Sequence, residues 1–247
     1  MPAFDPLVFA VALFAALLIG LAKGGLSMVG SLATPILALV MSPVKAAAIL
    51  LPILIISDAF GLWSYRRHYD RRNLTILIPA AALGIGVGWA TASLVPDRWV
   101  GFVIGVIGVS FCVSAWLRRN AIPKPRPADI PRGVFWGSIL GFSSFVAHVG
   151  GPPYQVYVYP QQLDKVVYAG TTTITFAAVN WIKLGPYWAL GQLSAENLQA
   201  AAWLIPCAIL GTFAGVRLVR VLPQKVYFNI VQAALLVVSI KLMIDVV

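Results

Sequence analysis

The chain has 247 residues, of which 60% are hydrophobic and only 11% are charged, and its mean hydropathy is +0.88. These values exclude an ordinary soluble domain and predict an all-α polytopic membrane protein. The formal net charge of +10 would suggest nucleic-acid binding in a soluble protein. Basic loops of membrane proteins instead set orientation, so no nucleic-acid partner is expected.

The first apolar stretch, residues 6–41, is interrupted by LAKGGLSM at 21–28. A lysine and two consecutive glycines stand where a membrane helix should continue. Irregular backbone at membrane depth is tolerated only where it is buried in protein or lines water. The stretch is therefore predicted to form a helix, a break and a short second helix that face the interior.

Six further stretches are long and apolar enough to cross a bilayer as single helices. They are residues 46–65, 73–95, 99–117, 165–185, 198–218 and 226–244. A second interrupted stretch, residues 133–163, contains AHVGGPP and has the same predicted form as the first. Each interrupted stretch precedes three of the single helices.

A Pro-rich basic segment, RRNAIPKPRPADIPR at 118–132, divides the chain in half and is typical of an extended linker. We therefore predict a first transmembrane repeat at 1–120, a cytoplasmic linker at 121–132 and a second repeat at 133–247. Cys112 and Cys207 lie in apolar segments with no partner spacing. No disulfide framework, metal site or cofactor is expected from them.

The two halves contain matching short motifs in the same order, which indicates an internal duplication. Gly-Gly at 24–25 matches Gly-Gly at 150–151, and Asn-Leu at 73–74 matches Asn-Leu at 197–198. Gly84 and Gly88 match Gly211 and Gly215, and their four-residue spacing predicts close helix packing in both halves.

The distribution of basic residues predicts how each half is oriented in the membrane. The loop after the first single helix carries four arginines, at 66, 67, 71 and 72, whereas the equivalent segment 185–197 carries only Glu196. The first loop is predicted to be cytoplasmic and the second external, which requires inverted repeats, each a broken helix pair plus three transmembrane helices. This orientation places Lys45 and Lys183 outside, and inverted repeats with paired broken helices are typical of secondary transporters.

The breaks have the chemistry of an anion site. A break frees backbone amides, and the N-terminus of a half-helix adds a positive dipole end. The predicted substrate-binding residues are Lys23, Gly24, Gly25, Ser27, Thr34, His148, Gly150, Gly151, Tyr154 and Gln155. The alternative is a tight hairpin near the surface, with the Lys23 ammonium reaching the lipid headgroups.

Three polar residues are candidates for coupling transport to an ion gradient. Asp58 lies well inside its helix, corresponds to Asn180 in the second half, and can either relay protons or form an ion pair with a basic neighbour. His148 can titrate near neutral pH or remain neutral while bonded to a backbone carbonyl. Both alternatives are open for Asp58 and for His148, and Asn180 is the third candidate.

The runs GLAKGGLSMVGSLATPILAL and GFSSFVAHVGGPPYQVYVYP, together with the duplicated halves, resemble the TauE/SafE sulfite exporter family, also called the 4-toluene sulfonate uptake permease family. The resemblance covers nearly the whole chain. It implies a multi-pass transporter of the bacterial inner membrane for sulfite, sulfonates or related sulfur-containing organic anions.

The sequence therefore predicts a secondary transporter of a small sulfur-containing anion, such as sulfite, a sulfonate or a sulfoacetate-like compound, that works by alternating access. No nucleotide-binding motif is present, so a gradient should drive it. A passive anion channel and a structural membrane subunit without transport activity are the alternatives. An enzyme is not expected, because no catalytic cluster is visible, and a homo-oligomer is left open.

Overall fold

The structure is a computed structural model that describes residues 5–24, 26–92, 94–117, 126–221 and 224–244. In these ranges every regular element is a helix. The α-helices are α1 (Pro6–Lys23), α2 (Ala33–Leu37), α3 (Pro43–Tyr65), α4 (Arg71–Ala92), α5 (Asp97–Leu117), α6 (Ile130–Ala147), α7 (Gly151–Val158), α8 (Lys165–Ala189), α9 (Ala195–Val221) and α10 (Gln224–Ile244). Two 3₁₀ segments, Ser27–Leu32 and Tyr159–Gln161, complete the set.

Short polar side chains fix where several helices begin. The Asp5 carboxylate accepts from the Leu7 amide at 2.8 Å before α1, and the Asp129 carboxylate accepts from the Arg132 amide at 2.9 Å before α6. Asp164 accepts from the Val166 amide at 2.9 Å before α8. The first amides of a helix have no intrahelical acceptor, so these caps place the helix starts in the sequence.

Helices are interrupted in both expected places. α1 ends at Lys23 and is followed by the 3₁₀ segment Ser27–Leu32 and the short α2. α6 ends at Ala147 and is followed by the eight-residue α7. The six stretches expected to be single helices correspond to α3, α4, α5, α8, α9 and α10.

The helical surface suits a lipid environment. Four described segments are long and apolar enough to cross a membrane by length and composition: Pro6–Lys23, Arg71–Ala92, Trp99–Leu117 and Ala195–Gly215. Large apolar side chains stand on outer helical faces, and Leu83, Phe213 and Val237 are 62%, 72% and 68% exposed. Such extensive apolar exposure marks a surface that does not face water. The prediction of an all-α polytopic membrane protein is confirmed.

Helix pairing relates the two halves. The main pairs are α1 with α9, α4 with α6, α3 with α8, and α5 with α10. Exchanging α1–α5 with α6–α10 in order converts this set of pairs into itself. The pattern is the one that a duplicated chain would give, while the inversion of the halves and the domain boundaries stay predictions.

Polar contacts at the ends of α3 and α8 show that these two helices run antiparallel. Lys45, at the start of α3, pairs with Glu196 beyond the end of α8 at 2.8 Å. The Asp70 amide, just beyond α3, donates to the Thr171 hydroxyl near the start of α8 at 2.8 Å. The arginine-rich loop 66–72 and Glu196 therefore lie at opposite ends of the molecule.

Site-directed labelling tests the membrane topology. Cysteines placed at His68 and at Ala195, both exposed, in a chain whose Cys112 and Cys207 are replaced by alanine, should react with an impermeant maleimide from opposite sides of the membrane. Intact and permeabilised cells supply the two conditions. Reaction of both cysteines from one side would overturn the inverted topology.

The matched glycines make the close helix contacts that the sequence predicts. A Cβ at Gly84 of α4 would overlap the Ser138 carbonyl of α6, and one at Gly211 of α9 would lie 2.5 Å from the Leu17 carbonyl of α1. The predicted helix packing at these glycines is confirmed, and it joins the equivalent pairs α4–α6 and α1–α9.

Gly84→Ala should lower the free energy of unfolding by about 1–3 kcal/mol, because overpacking forces the two helix backbones apart. Gly86→Ala is the matched control, since a Cβ there would meet no atom within 4 Å. Thermal unfolding in detergent measures both variants. Equal stabilities would show that α4 and α6 can separate without cost.

Candidate functional site

Buried polar side chains gather where α8 passes the interrupted helices. They come from α1, α3, α6 and α8, and all lie in the central parts of long helices or at the two interruptions. Asp58, Asn180 and Lys183 are at most 3% exposed, as is Ser144. Buried ionisable groups at membrane depth are costly, so this cluster is the candidate functional site.

The first part of the cluster is an ion pair shared with an amide. The Lys23 ammonium, at the end of α1, contacts the Asp58 Oδ1 atom of α3. Asn180 of α8 donates from Nδ2 to the other carboxylate oxygen at 2.6 Å. The Lys23 side chain is 25% exposed and that of Asp58 is buried. Of the two interpretations of Asp58, the structure shows the ion pair, and its role in coupling stays a prediction.

The second part of the cluster centres on Lys183, one turn after Asn180 on α8. Its Nζ atom lies 2.7 Å from His148 Nδ1 and 3.1 Å from both the carbonyl and the hydroxyl oxygen of Ser144. His148 Nε2 lies 2.8 Å from the Ala47 carbonyl of α3. Because a carbonyl only accepts, Nε2 carries the proton and Nδ1 is the acceptor for Lys183.

His148 has an uncommon backbone conformation that ends α6. Its φ and ψ are 55° and 24°, in the left-handed region that non-glycine residues rarely adopt. The amides of His148 and Val149 donate to the carbonyls of Ser144 and Ser143 at 3.1 and 3.3 Å. These bonds fix the direction in which α6 ends and hold the imidazole between α3 and α8.

The two breaks differ in the donors that they offer. The Gly24 amide donates to the Gly20 carbonyl at 2.9 Å, and the Leu26 amide donates to the Leu21 carbonyl at 3.1 Å, so α1 uses both in this conformation. At the second break, α7 begins after Gly150, and no side chain of the described residues caps it. A Cβ at Gly151 would meet no atom within 4 Å. The second break therefore has space beside the start of a helix.

The remaining predicted substrate residues have mixed surroundings. Tyr154 is 1% exposed and packs against Tyr168 and Phe176, with its hydroxyl 2.9 Å from that of Thr172. Gln155 is half-buried. The Thr34 hydroxyl is buried and has no hydrogen-bond partner among the described residues. Gly25 and the side chain of Ser27 lie outside the described part of the structure.

Lys183 is the residue that the sequence argument missed. Counting basic residues by topology placed it on the outer surface, and that expectation is wrong, because its side chain is fully buried and bonded to Ser144 and His148. The usable signal was its spacing from Asn180. Residues three apart lie on one face of a helix, so a polar Asn180 facing the interior brings Lys183 with it.

The described cluster contains two lysines and one carboxylate. If both lysines are protonated, it carries one positive charge in excess. It also lies beside the start of α7, since Gly150 packs against Ser144 and Phe176. A cationic cluster, a helix N-terminus and free space are the elements of a site for a small anion.

Comparison with known families gives one result. The family model described as Sulfite exporter TauE/SafE matches residues 8–242, nearly the whole chain. Neither the curated proteins nor the solved structures contain a significant match.

Proposed function

Because the chain belongs to the TauE/SafE sulfite exporter family, whose members are membrane transporters of sulfur-containing anions, we propose that it is a gradient-driven secondary transporter. Its substrate is sulfite, a sulfonate or a sulfoacetate-like anion, and its location is the bacterial inner membrane. The protein alternates between outward-open and inward-open states around the two breaks.

The observation that carries the proposal is the buried cluster of two lysines and one carboxylate beside the uncapped start of α7. Lys23 and Lys183 supply the charge, and only one carboxylate, Asp58, accompanies them among the described residues of the cluster. The start of α7 supplies the positive end of a helix dipole and space at Gly151. An anion bound there would offset the excess charge.

The geometry suits an oxyanion with several equivalent oxygens. A sulfonate spreads its charge over three oxygens, so several converging donors fit it better than one bidentate clamp. Backbone amides at Gly150 and Gly151, and the Lys23 ammonium, are donors of this kind. Gln155, half-buried on the first turn of α7, would add a side-chain amide.

A thermal-shift panel on purified protein tests the substrate class. Sulfite, thiosulfate, sulfoacetate, taurine, sulfate and acetate are compared at equal ionic strength, because a ligand that binds only the folded state raises its apparent stability. We expect sulfur oxyanions to raise the midpoint and acetate to leave it unchanged. No shift with any sulfur anion would count against the proposal.

A passive channel could use the same donors, so carrier function needs its own assay. Proteoliposomes loaded with unlabelled anion should show counterflow, the transient uptake of labelled anion above its external concentration. A channel has no closed intermediate that binds one anion at a time and gives no counterflow. Uptake without counterflow or saturation would favour the channel.

Lys23→Ala should weaken binding of the anion with the largest thermal shift by about 1.5–3 kcal/mol, the usual loss for a hydrogen bond to a charged group. Lys45→Ala is the control, since Lys45, at the start of α3, is paired with the exposed Glu196. Both affinities are measured by calorimetry on protein that elutes as a single folded species. Unchanged affinity in Lys23→Ala would remove Lys23 from the site.

A further inference from the structure

Lys183 is a buried basic group that substrate binding alone does not explain. It is fully buried, and its nitrogen contacts no carboxylate among the described residues. A buried ammonium without a counter-ion is strongly disfavoured. Either the amine is neutral in this state, or a charge from outside the chain must accompany it.

The three contacts of Lys183 satisfy both protonation states. As an ammonium, Nζ donates to the Ser144 carbonyl, to the Ser144 hydroxyl oxygen and to His148 Nδ1. As a neutral amine, it donates to the carbonyl and to His148, and its lone pair accepts the Ser144 hydroxyl proton. Only the hydroxyl of Ser144 has to rotate, so the site can gain or lose a proton without moving a helix.

The other charged and titratable groups around Lys183 already have partners, so none of them balances a charge on its amine. The Asp58 carboxylate of α3 forms an ion pair with Lys23 of α1 and accepts a hydrogen bond from Asn180. His148 comes from the end of α6, and Tyr187, on α8 itself, donates its hydroxyl to the Phe145 carbonyl at 2.7 Å. α4 has no titratable side chain between residues 73 and 92. No group other than Lys183 is left with an uncompensated charge.

We propose that Lys183 is the proton carrier of the transporter, neutral when the site is empty and protonated when an anion occupies the second break. The inference rests on the proposed function. With a neutral Lys183, the Lys23–Asp58 pair leaves the empty cluster uncharged. A monovalent anion and one proton, taken from the same solution and bound at the Nζ lone pair, leave the occupied cluster uncharged as well.

The proton is bound at Nζ itself, and His148 orients the amine without relaying the proton. Its Nε2–H donates to the Ala47 carbonyl and its Nδ1 atom accepts from Nζ, so the imidazole has no further site for a proton. One proton would therefore accompany each monovalent anion, and the transport cycle would be electroneutral. Anion affinity should fall by up to about tenfold per pH unit once the empty site is deprotonated.

The test counts protons on the wild-type protein. Sodium methanesulfonate, which has no titratable group near neutral pH, is added to purified protein in weakly buffered detergent solution, and the pH change is recorded at saturation. We expect alkalinisation equivalent to about one proton per bound anion at a pH where the empty amine is neutral. Thiosulfate and benzenesulfonate serve as further non-titrating probes.

Two variants assign the proton to its residue. Lys183→Arg keeps a charge that does not titrate, so it should bind methanesulfonate without proton uptake. Lys183→Met should lower affinity at least tenfold, and Lys45→Met should leave both binding and proton uptake as in the wild type. Binding by the wild type without proton uptake would overturn this inference alone. Absence of binding by all three probes would overturn the proposed function and the inference with it.

Discussion

Asp58→Ala is expected to lower the free energy of unfolding by about 3 kcal/mol, the lower end of the loss for removing one partner of a buried ion pair. The carboxylate is buried and joins three helices through Lys23 and Asn180. Its removal leaves the ammonium without a partner and the Asn180 amide without an acceptor. Thermal unfolding and folded yield in detergent measure the loss.

Two controls separate this ion pair from charge effects in general. Glu196→Ala removes the partner of Lys45 in an exposed pair and should change stability by less than about 1 kcal/mol. The double variant Lys23→Met, Asp58→Leu should regain much of the lost stability, because a matched apolar pair can replace a buried ion pair. Transport should not return with it, since Lys23 is part of the proposed anion site.

Asp58→Asn distinguishes the ion pair from a coupling role. It keeps the shape of the side chain and removes its charge. If Asp58 acts mainly through the ion pair, accumulation and exchange should fall together with stability. Full stability, with exchange retained and gradient-driven accumulation lost, would instead make Asp58 the coupling residue and contradict the structural interpretation.

Much of the fold was accessible from the sequence because local signals agree with the packing. Apolar length predicts α4, α5 and α9, and the caps at Asp129 and Asp164 fix where α6 and α8 begin. The repeated glycines predict the close contacts of α4 with α6 and of α1 with α9. Each of these features depends only on neighbouring residues in the chain or on one face of a single helix.

The site was less accessible because its partners are far apart in the chain. The charge count placed Lys183 outside, although it is fully buried and bonds to His148 and Ser144, which lie 35 and 39 residues before it. Gly24 was expected to offer a free amide, yet α1 continues its hydrogen-bond ladder to that residue. Neither fact follows from composition, since both depend on how helices end and cross.

The second break offers the sharper test of where the anion binds. Gly151→Leu is expected to lower anion affinity at least tenfold in protein that still elutes as a single folded species. A side chain there would enter the space beside the start of α7, which no described atom within 4 Å of the added Cβ fills. Gly151 does not have the positive φ that would exclude leucine, since Gly191 alone among the described glycines has one, but the following Pro152 disfavours the helical conformation for a residue that carries a Cβ.

Gly185→Leu is the matched control for this substitution. Gly185 lies on α8, is exposed, and would likewise meet no atom within 4 Å of an added Cβ. Both glycines precede a proline, Pro152 or Pro186, so the two variants share the same local cost and add the same apolar volume. They differ in their surroundings, because Gly185 is exposed whereas Gly151 lies at the start of α7. Calorimetry with the best-binding sulfur anion measures both. Wild-type affinity in Gly151→Leu would show that the break serves only to turn the chain, whereas a selective loss would place the anion at the start of α7, next to the residues that Lys183 contacts.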